Sequence, residues 1–94
     1  MGTKNMPGNH NPEEQRFELT LDGHLAVLEY TLAGKTILFT HTGVPPEISR
    51  NNTGIQLVEA GLAYARGNGL RVRSKCWFVS KYLRRHPEYQ ELVG

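Results

Sequence analysis

No stretch of this 94-residue chain holds the roughly 18 consecutive apolar residues that a membrane helix requires, which excludes a transmembrane helix. Cysteine occurs once, at Cys76. A lone thiol closes no internal disulfide and fits a reducing compartment, so a cytoplasmic location is expected. The first residues lack an apolar signal core. Met6 stands where a myristoylation signal would need Ser or Thr. Net charge is small, at +2, and alone argues for no polyanion. The four histidines, His10, His24, His41 and His86, have no metal-ligand spacing with Cys76, so no metal is expected. There is also no complete Walker-type phosphate loop and no local Ser-His-Asp signature.

What is present is the composition of one small domain. Hydrophobic residues make up 38% and charged residues 21%. Such a chain can bury one modest core, enough for a sheet covered by two helices. The charge is unevenly placed. After Glu59 no acidic residue occurs until Glu88, while Arg66, Arg71, Arg73, Lys75, Lys81, Arg84 and Arg85 lie between them. This basic half reads either as a solvated face or as a surface for a polyanion such as coenzyme A, RNA or DNA.

Residues 1–14 are rich in Gly, Asn, Pro and Glu without periodicity and read as a flexible arm, with His10 a solvated tail residue. Residues 15–94 then form a single domain. Phe17, Leu19 and Leu21 alternate with polar residues, the period of a half-buried strand. Asp22-Gly23 signals a tight hairpin into a second strand over residues 24–32. Ala33-Gly34-Lys35 turns into a third strand over residues 36–42. On that strand strict alternation puts Ile37, Phe39 and His41 on one face and Leu38, Thr40 and Thr42 on the other. Ile55, Val58, Leu62 and Ala65, widened by Leu57 and Gly61, predict a helix over about residues 53–66. Gly61 costs such a helix roughly 1 kcal/mol relative to Ala, and a close helix–sheet approach would account for it. Leu70, Val72 and Ser74 mark a fourth strand. Phe78, Val79, Tyr82 and Leu83 mark a second helix, broken at His86-Pro87. The expected fold is α+β, in the order β-β-β-α-β-α. The helical crossover makes the last two strands parallel in a mostly antiparallel sheet.

The stretch His41-Thr42-Gly43-Val44-Pro45-Pro46-Glu47 interrupts this pattern. Prolines give no N–H to a ladder, so sheet pairing stops there. Ser49, Arg50, Asn51, Asn52, Thr53 and Gly54 follow, and then the helix. A polar turn at a helix N-terminus is suited to holding an anion, because the first N–H groups are unpaired and carry partial positive charge. Arg50 is a candidate direct phosphate contact. Two side chains could do chemistry. His41 ends the third strand, and an imidazole suits a general base near neutral pH. Cys76 lies where a strand gives way to a helix, beside Lys75, a setting that favours a nucleophilic thiolate. Each also has a structural reading, His41 as a sheet-edge histidine and Cys76 as a small buried hydrophobe. If the last two strands are parallel, both residues lie near their C-terminal ends, where ligands bind in open α/β sheets.

H-T-G-V-P-P-E, A-R-G-N-G-L and S-K-C-W-F-V-S-K-Y-L-R-R-H-P-E-Y together resemble the small, minimal members of the GCN5-related N-acetyltransferase superfamily. The resemblance runs from about Phe17 to Val93. In the phosphate turn it holds at Gly54 and departs at Ser49 and Asn52. Asn tolerates left-handed backbone angles, so the turn is expected to persist. The resemblance implies that the two parallel strands splay and admit the pantetheine arm of acetyl-CoA. It further implies that Val44, Pro45 and Pro46 line that arm, that residues 49–54 hold the pyrophosphate, and that Cys76 lies near the reactive sulfur. Tyr82 is near where the superfamily often places a tyrosine that protonates the leaving thiolate, although its spacing with Phe78 fits core packing.

The resulting expectation is an acetyl-CoA-dependent N-acetyltransferase acting on a small-molecule or protein amine, as a monomer with no membrane partner. A direct route would use His41 as base, and a covalent one would pass the acetyl group through Cys76. The alternatives are a non-catalytic CoA or acyl-CoA binding module and a small nucleic-acid-binding domain. The last is disfavoured because the basic half lacks interleaved aromatics.

Overall fold

The computed structural model describes residues 9–94, with the side chains of Arg50 and Asn51 outside the description. The strands are β1 (Asn9–Asn11), β2 (Arg16–Leu21), β3 (His24–Ala33), β4 (Thr36–Gly43) and β5 (Arg71–Ser74). Helix α1 (Thr53–Gly67) connects β4 to β5, and α2 (Trp77–Arg85) follows β5. The sheet order is β1-β2-β3-β4-β5. Neighbours are antiparallel except β4 and β5, which are parallel across the α1 crossover. The mixed sheet and the two helices are those that the periodicities predict. The β2–β3 turn forms because Asp22 and Gly23 both accept positive φ, at 51° and 76°.

Strand β1 is an addition to the expected order. Part of the presumed arm is ordered here, and the reason is aromatic. The His10 ring stacks on Phe17 at 4.3 Å and meets the edge of Tyr64 at 4.4 Å. Its Nε2 is 2.6 Å from the Tyr30 hydroxyl. His10 is therefore half-buried rather than a solvated tail residue. Its partners lie on β2, β3 and α1, too far along the chain for local composition to reveal them.

Both helices pack on one face of the sheet, in a single core. Phe17, Leu28, Ile37 and Phe39 from the sheet meet Leu57, Val58 and Leu62 from α1 and Val79, Tyr82 and Leu83 from α2. Fully burying an aliphatic or aromatic side chain of this size contributes about 1.5–3 kcal/mol. Gly61 lies where α1 crosses the sheet. A Cβ there would come within 2.9 Å of the Phe39 ring and 3.2 Å of Leu28 Cδ2. The close approach expected at Gly61 is thus present. Ile55, by contrast, leaves the predicted apolar stripe and is 37% exposed. It sits at the edge of the buried stripe, since Thr53 and Gly54 in the same turn are buried.

Strand β4 carries a bulge. Tyr30 pairs with Phe39 and Glu29 with His41, which leaves Thr40 as an extra residue. The alternation therefore changes phase. Leu28, fully buried under the helices, pairs with Thr42. His41 pairs with Glu29 and is exposed on the opposite, open face. The shared face expected for Phe39 and His41 is overturned, because one inserted residue flips every later side chain.

Two consequences are measurable. Gly61→Ala should destabilise the protein by about 1–3 kcal/mol through overpacking, despite the better helix propensity of Ala. Urea denaturation of both proteins checks this. Burial holds the His10 imidazole below its ordinary value of 6.5. The folded state therefore resists a proton that the unfolded chain accepts, so this contribution is complete above about pH 6.5 and is lost as pH falls below it. The stability difference between wild type and His10→Gln should shrink from about pH 7 to pH 5. Denaturation midpoints across that range test it.

Candidate active site

Strand β4 outruns β5. Their parallel pairing ends at Phe39 and Ser74, where the Lys75 N–H donates to the Phe39 carbonyl at 2.9 Å. Past this point β4 keeps its pairing to β3 through Gly43. The chain leaving β5 instead turns at Cys76 into α2. The two strands part, and a gap opens between their C-terminal ends. Ser74 fixes the departing turn. Its Oγ accepts from the Cys76 N–H at 3.1 Å, donates to the Cys76 carbonyl at 2.9 Å and receives the Ser80 hydroxyl at 2.9 Å.

Pro45 and Pro46 end β4 and start a 3-10 helix, Pro46–Asn51. Asn52 then joins this helix to α1 in the left-handed conformation, with φ 56° and ψ 30°. Asn tolerates left-handed angles better than most residues and makes this turn without glycine. The first α1 bond runs from the Gln56 N–H to the Asn52 carbonyl at 2.9 Å. The N–H groups of Thr53, Gly54 and Ile55 therefore precede the helical ladder at its positive end; Thr53 is fully buried, so those of Gly54 and Ile55 are the ones placed to meet a ligand.

A groove of about 370 Å³ opens at this end of α1. Thr42, Val44, Ser49, Asn52, Gly54, Ile55 and Phe78 line it. It has an apolar wall at Val44, Ile55 and Phe78. Its polar end combines the first-turn N–H groups with the Ser49 hydroxyl. Gly54 permits this wall, since a Cβ there would come within 2.9 Å of the Phe78 ring. A second hollow of about 200 Å³ shares Ile55 and Phe78 and continues to Lys81, Tyr82, Arg85 and His86.

The structure gathers the turn residues Val44, Ser49, Asn52 and Gly54 around one groove, with Pro45 adjoining it. Thr53 belongs to the same turn, but its side chain serves the fold. It is fully buried and donates to the Ile48 carbonyl at 2.7 Å. What the Arg50 and Asn51 side chains do lies outside the described residues. Cys76 is half-buried on the helix side of the gap, where its Sγ is 3.2 Å from Thr42 Oγ1. His41 is on the other side, its Nε2 close over Gly43. Cys76 thus meets β4 through Thr42 at the groove's edge, while His41 lies on the opposite face and lines neither hollow. Thr42, Ile55 and Phe78 were missed as site residues. Only the bulge brings Thr42 to the groove, and its position leaves no periodic signal.

Tyr82 is tied into the core. Its hydroxyl donates to Glu59 Oε2 at 2.9 Å, and its ring stacks on His86 at 4.0 Å. Burial first, and the Glu59 carboxylate second, push its phenol far above the ordinary value of 10. It keeps its proton.

A model of the GCN5-related N-acetyltransferase family matches residues 16–92. The chain belongs to this family. Among curated proteins it is similar to Protein NATD1 of Danio rerio, at 28% identity over 89 residues, covering 89% of this chain and 81% of that protein. Protein NATD1 of Homo sapiens is 30% identical over 86 residues, covering 88% of this chain and 76% of that protein. Among solved structures, the solution structure of a GCN5-like protein from Staphylococcus aureus superposes with a TM-score of 0.75 at 26% identity. That match covers 98% of this chain and 91% of the other. The mixed sheet with its two helices is thus the fold shared with that structure.

The left-handed turn yields a direct test. Asn52→Gly should be close to neutral for stability, whereas Asn52→Ala should cost about 1 kcal/mol. Chemical denaturation of both variants measures the difference.

Proposed function

We propose that this protein is an acetyl-CoA-dependent N-acetyltransferase. The observation that carries the reading is the gap between β4 and β5, continuous with a groove that ends at the N-terminus of α1. The donors present fit the group. The N–H groups of Gly54 and Ile55, with Ser49 and Asn52, would hold the pyrophosphate, while the buried Thr53 fixes the turn. Val44, Pro45, Ile55 and Phe78 would border the pantetheine arm, and the β4 edge beyond the last β5 pair offers amide partners to it. When bound, acetyl-CoA supplies a thioester: the amine nitrogen bonds to the acetyl carbon as the carbon–sulfur bond breaks and the sulfur leaves as a thiolate.

The chain's own residues then divide the work by face. His41, on the open face, takes the proton from the ammonium so that a free amine can attack. Cys76 and Thr42, on the helix side, form a hydroxyl–thiol pair beside the gap that can share a proton with the leaving sulfur. Tyr82 is excluded from that task, because its hydroxyl is spent on Glu59. The transfer is direct, with Cys76 lining the site. A CoA-binding module without turnover is the competing reading, since the same groove would serve it.

Titration with acetyl-CoA should shift the backbone amides of residues 42–44, 52–55 and 75–76. Absence of shifts at saturating ligand would remove the groove from the account. His41→Gln should lower turnover by about 100-fold. Cys76→Ala, which leaves the Thr42 hydroxyl beside the leaving sulfur, should lower turnover by less than His41→Gln does. Loss of turnover in Cys76→Ala, together with an acetylated wild-type protein by mass, would favour the covalent route instead.

A further inference from the structure

We propose that the amine acceptor is an acidic peptide, docked on the open face of the sheet by Arg73 and Lys75. Acetylation of that peptide rests on the acetyltransferase reading, whereas the docking stands separately. The starting point is which way β5 faces. Val72 pairs with Ile37, and both are fully buried under the helices. Arg71 pairs with Thr36 and Arg73 with Leu38, so these arginines point to the open face. Lys75 continues the alternation and is exposed. It lies immediately past the last β4–β5 pair, with its N–H on the Phe39 carbonyl, two residues before His41 along β4. The gap can therefore receive a cofactor from the helix side and an amine from the open side.

The charges at that mouth decide which amine. Much of the basic half is already engaged. Arg66 pairs with Glu91 at 2.7 Å, Arg71 donates to the Glu91 carbonyl at 3.2 Å, and Lys81 lies over the Trp77 ring at 4.9 Å. Among the described residues, neither Arg73 nor Lys75 takes part in an ion pair. Of the carboxylates on the open face, Glu18 on β2 pairs with Arg16 at 2.7 Å, and Glu29 on β3 is the in-register neighbour of His41, on the far side of β4 from Arg73 and Lys75. The β5 border of the gap is thus cationic and uncompensated. A polyamine or a lysine-rich tail brings like charge to it and is repelled. An amine carried on an acidic chain is attracted.

Spacing favours a peptide over a compact anion. Arg73 and Lys75 are two residues apart on one face of an extended backbone, about 7 Å. Alternate side chains of an extended peptide have the same repeat. Two acidic residues at alternate positions would meet the two cations, leaving the peptide's free N-terminal amine to reach the gap beside His41.

The test uses the full chain and three probes: a short glutamate-rich peptide with a free N-terminus, a lysine-rich peptide of equal length, and a short single-stranded oligonucleotide. The glutamate-rich peptide should shift the amides of His41, Arg73 and Lys75, more weakly as salt rises. In Arg73→Glu/Lys75→Glu its affinity should fall at least about tenfold, as expected for reversing two contacting charges. Arg73→Gln/Lys75→Gln should give an intermediate loss. Both variants should keep their acetyl-CoA shifts at residues 52–55, which shows that the fold is intact. Equal or tighter binding of the lysine-rich peptide, tighter binding of the oligonucleotide at the same amides, or unchanged binding in the reversed variant would overturn the proposal. If the glutamate-rich peptide docks but is not acetylated with acetyl-CoA bound, the docking face stands and the enzymatic reading falls. If the lysine-rich peptide is acetylated in preference, the enzymatic reading stands and this docking falls.

Discussion

One extra residue in β4 and one early ending in β5 set the geometry of this molecule. The bulge at Thr40 turns Thr42 toward the helices and His41 toward the open face. The last parallel pair, Phe39 with Ser74, then releases the two strands from each other. Had β5 continued, its ladder would have consumed the β4 edge, leaving no gap for a ligand amide. Had β4 kept strict alternation, Thr42 and Cys76 could not meet on the same side. The site is therefore a local failure of sheet regularity, held open by the regular sheet on either side of it.

Packing supports this failure at two glycines. Gly61 lets α1 sit on Phe39 and Leu28, next to the point where the strands part. Gly54 lets Phe78 close against the first turn of α1, which brings the two helices together as one groove wall. Asn52, in its left-handed conformation, aims that first turn. Small or permissive residues at these positions bring backbone and ring within van der Waals contact, so groove shape and core stability are coupled. Two anion-attracting features lie on opposite sides of the sheet. The unpaired helix N–H groups lie on the helix side, and the uncompensated side chains of Arg73 and Lys75 lie on the open side.

Much of this was legible in the sequence. The Asp22-Gly23 hairpin, the alternation through Phe17 to Leu21 and the 3.6-residue stripe of α1 depend on local rules, and the mixed sheet follows from the crossover. The polar turn after Pro46 was legible because helix ends and prolines have fixed chemistry. What periodicity could not supply was a change of phase. A bulge leaves no mark in a pattern of period two, so His41 was expected on the face of Phe39. Strand β1 was hidden for a different reason: His10 is ordered by Phe17, Tyr30 and Tyr64, contacts across strands and onto α1 that no window of local composition contains. Ile55 was assigned to the core because its spacing is right, but it falls at the edge of the buried stripe, where its neighbours Thr53 and Gly54 are covered and it borders the groove instead.

The chain end has a mechanical consequence. Val93 makes a parallel bridge to Val72, the Val72 N–H donates to the Leu92 carbonyl, and Arg71 reaches the Glu91 carbonyl. The base of β5 is thus gripped from both sides, by β4 on one edge and by the tail on the other. Its far end has no tail beside it, but Ser74 still pairs with Phe39 and the Lys75 N–H donates to the Phe39 carbonyl. The Ser74 hydroxyl ties the same end to the start of α2. β5 is thus a beam on two supports, one at the chain end and one at α2, and the gap begins where the second support turns the chain away from β4.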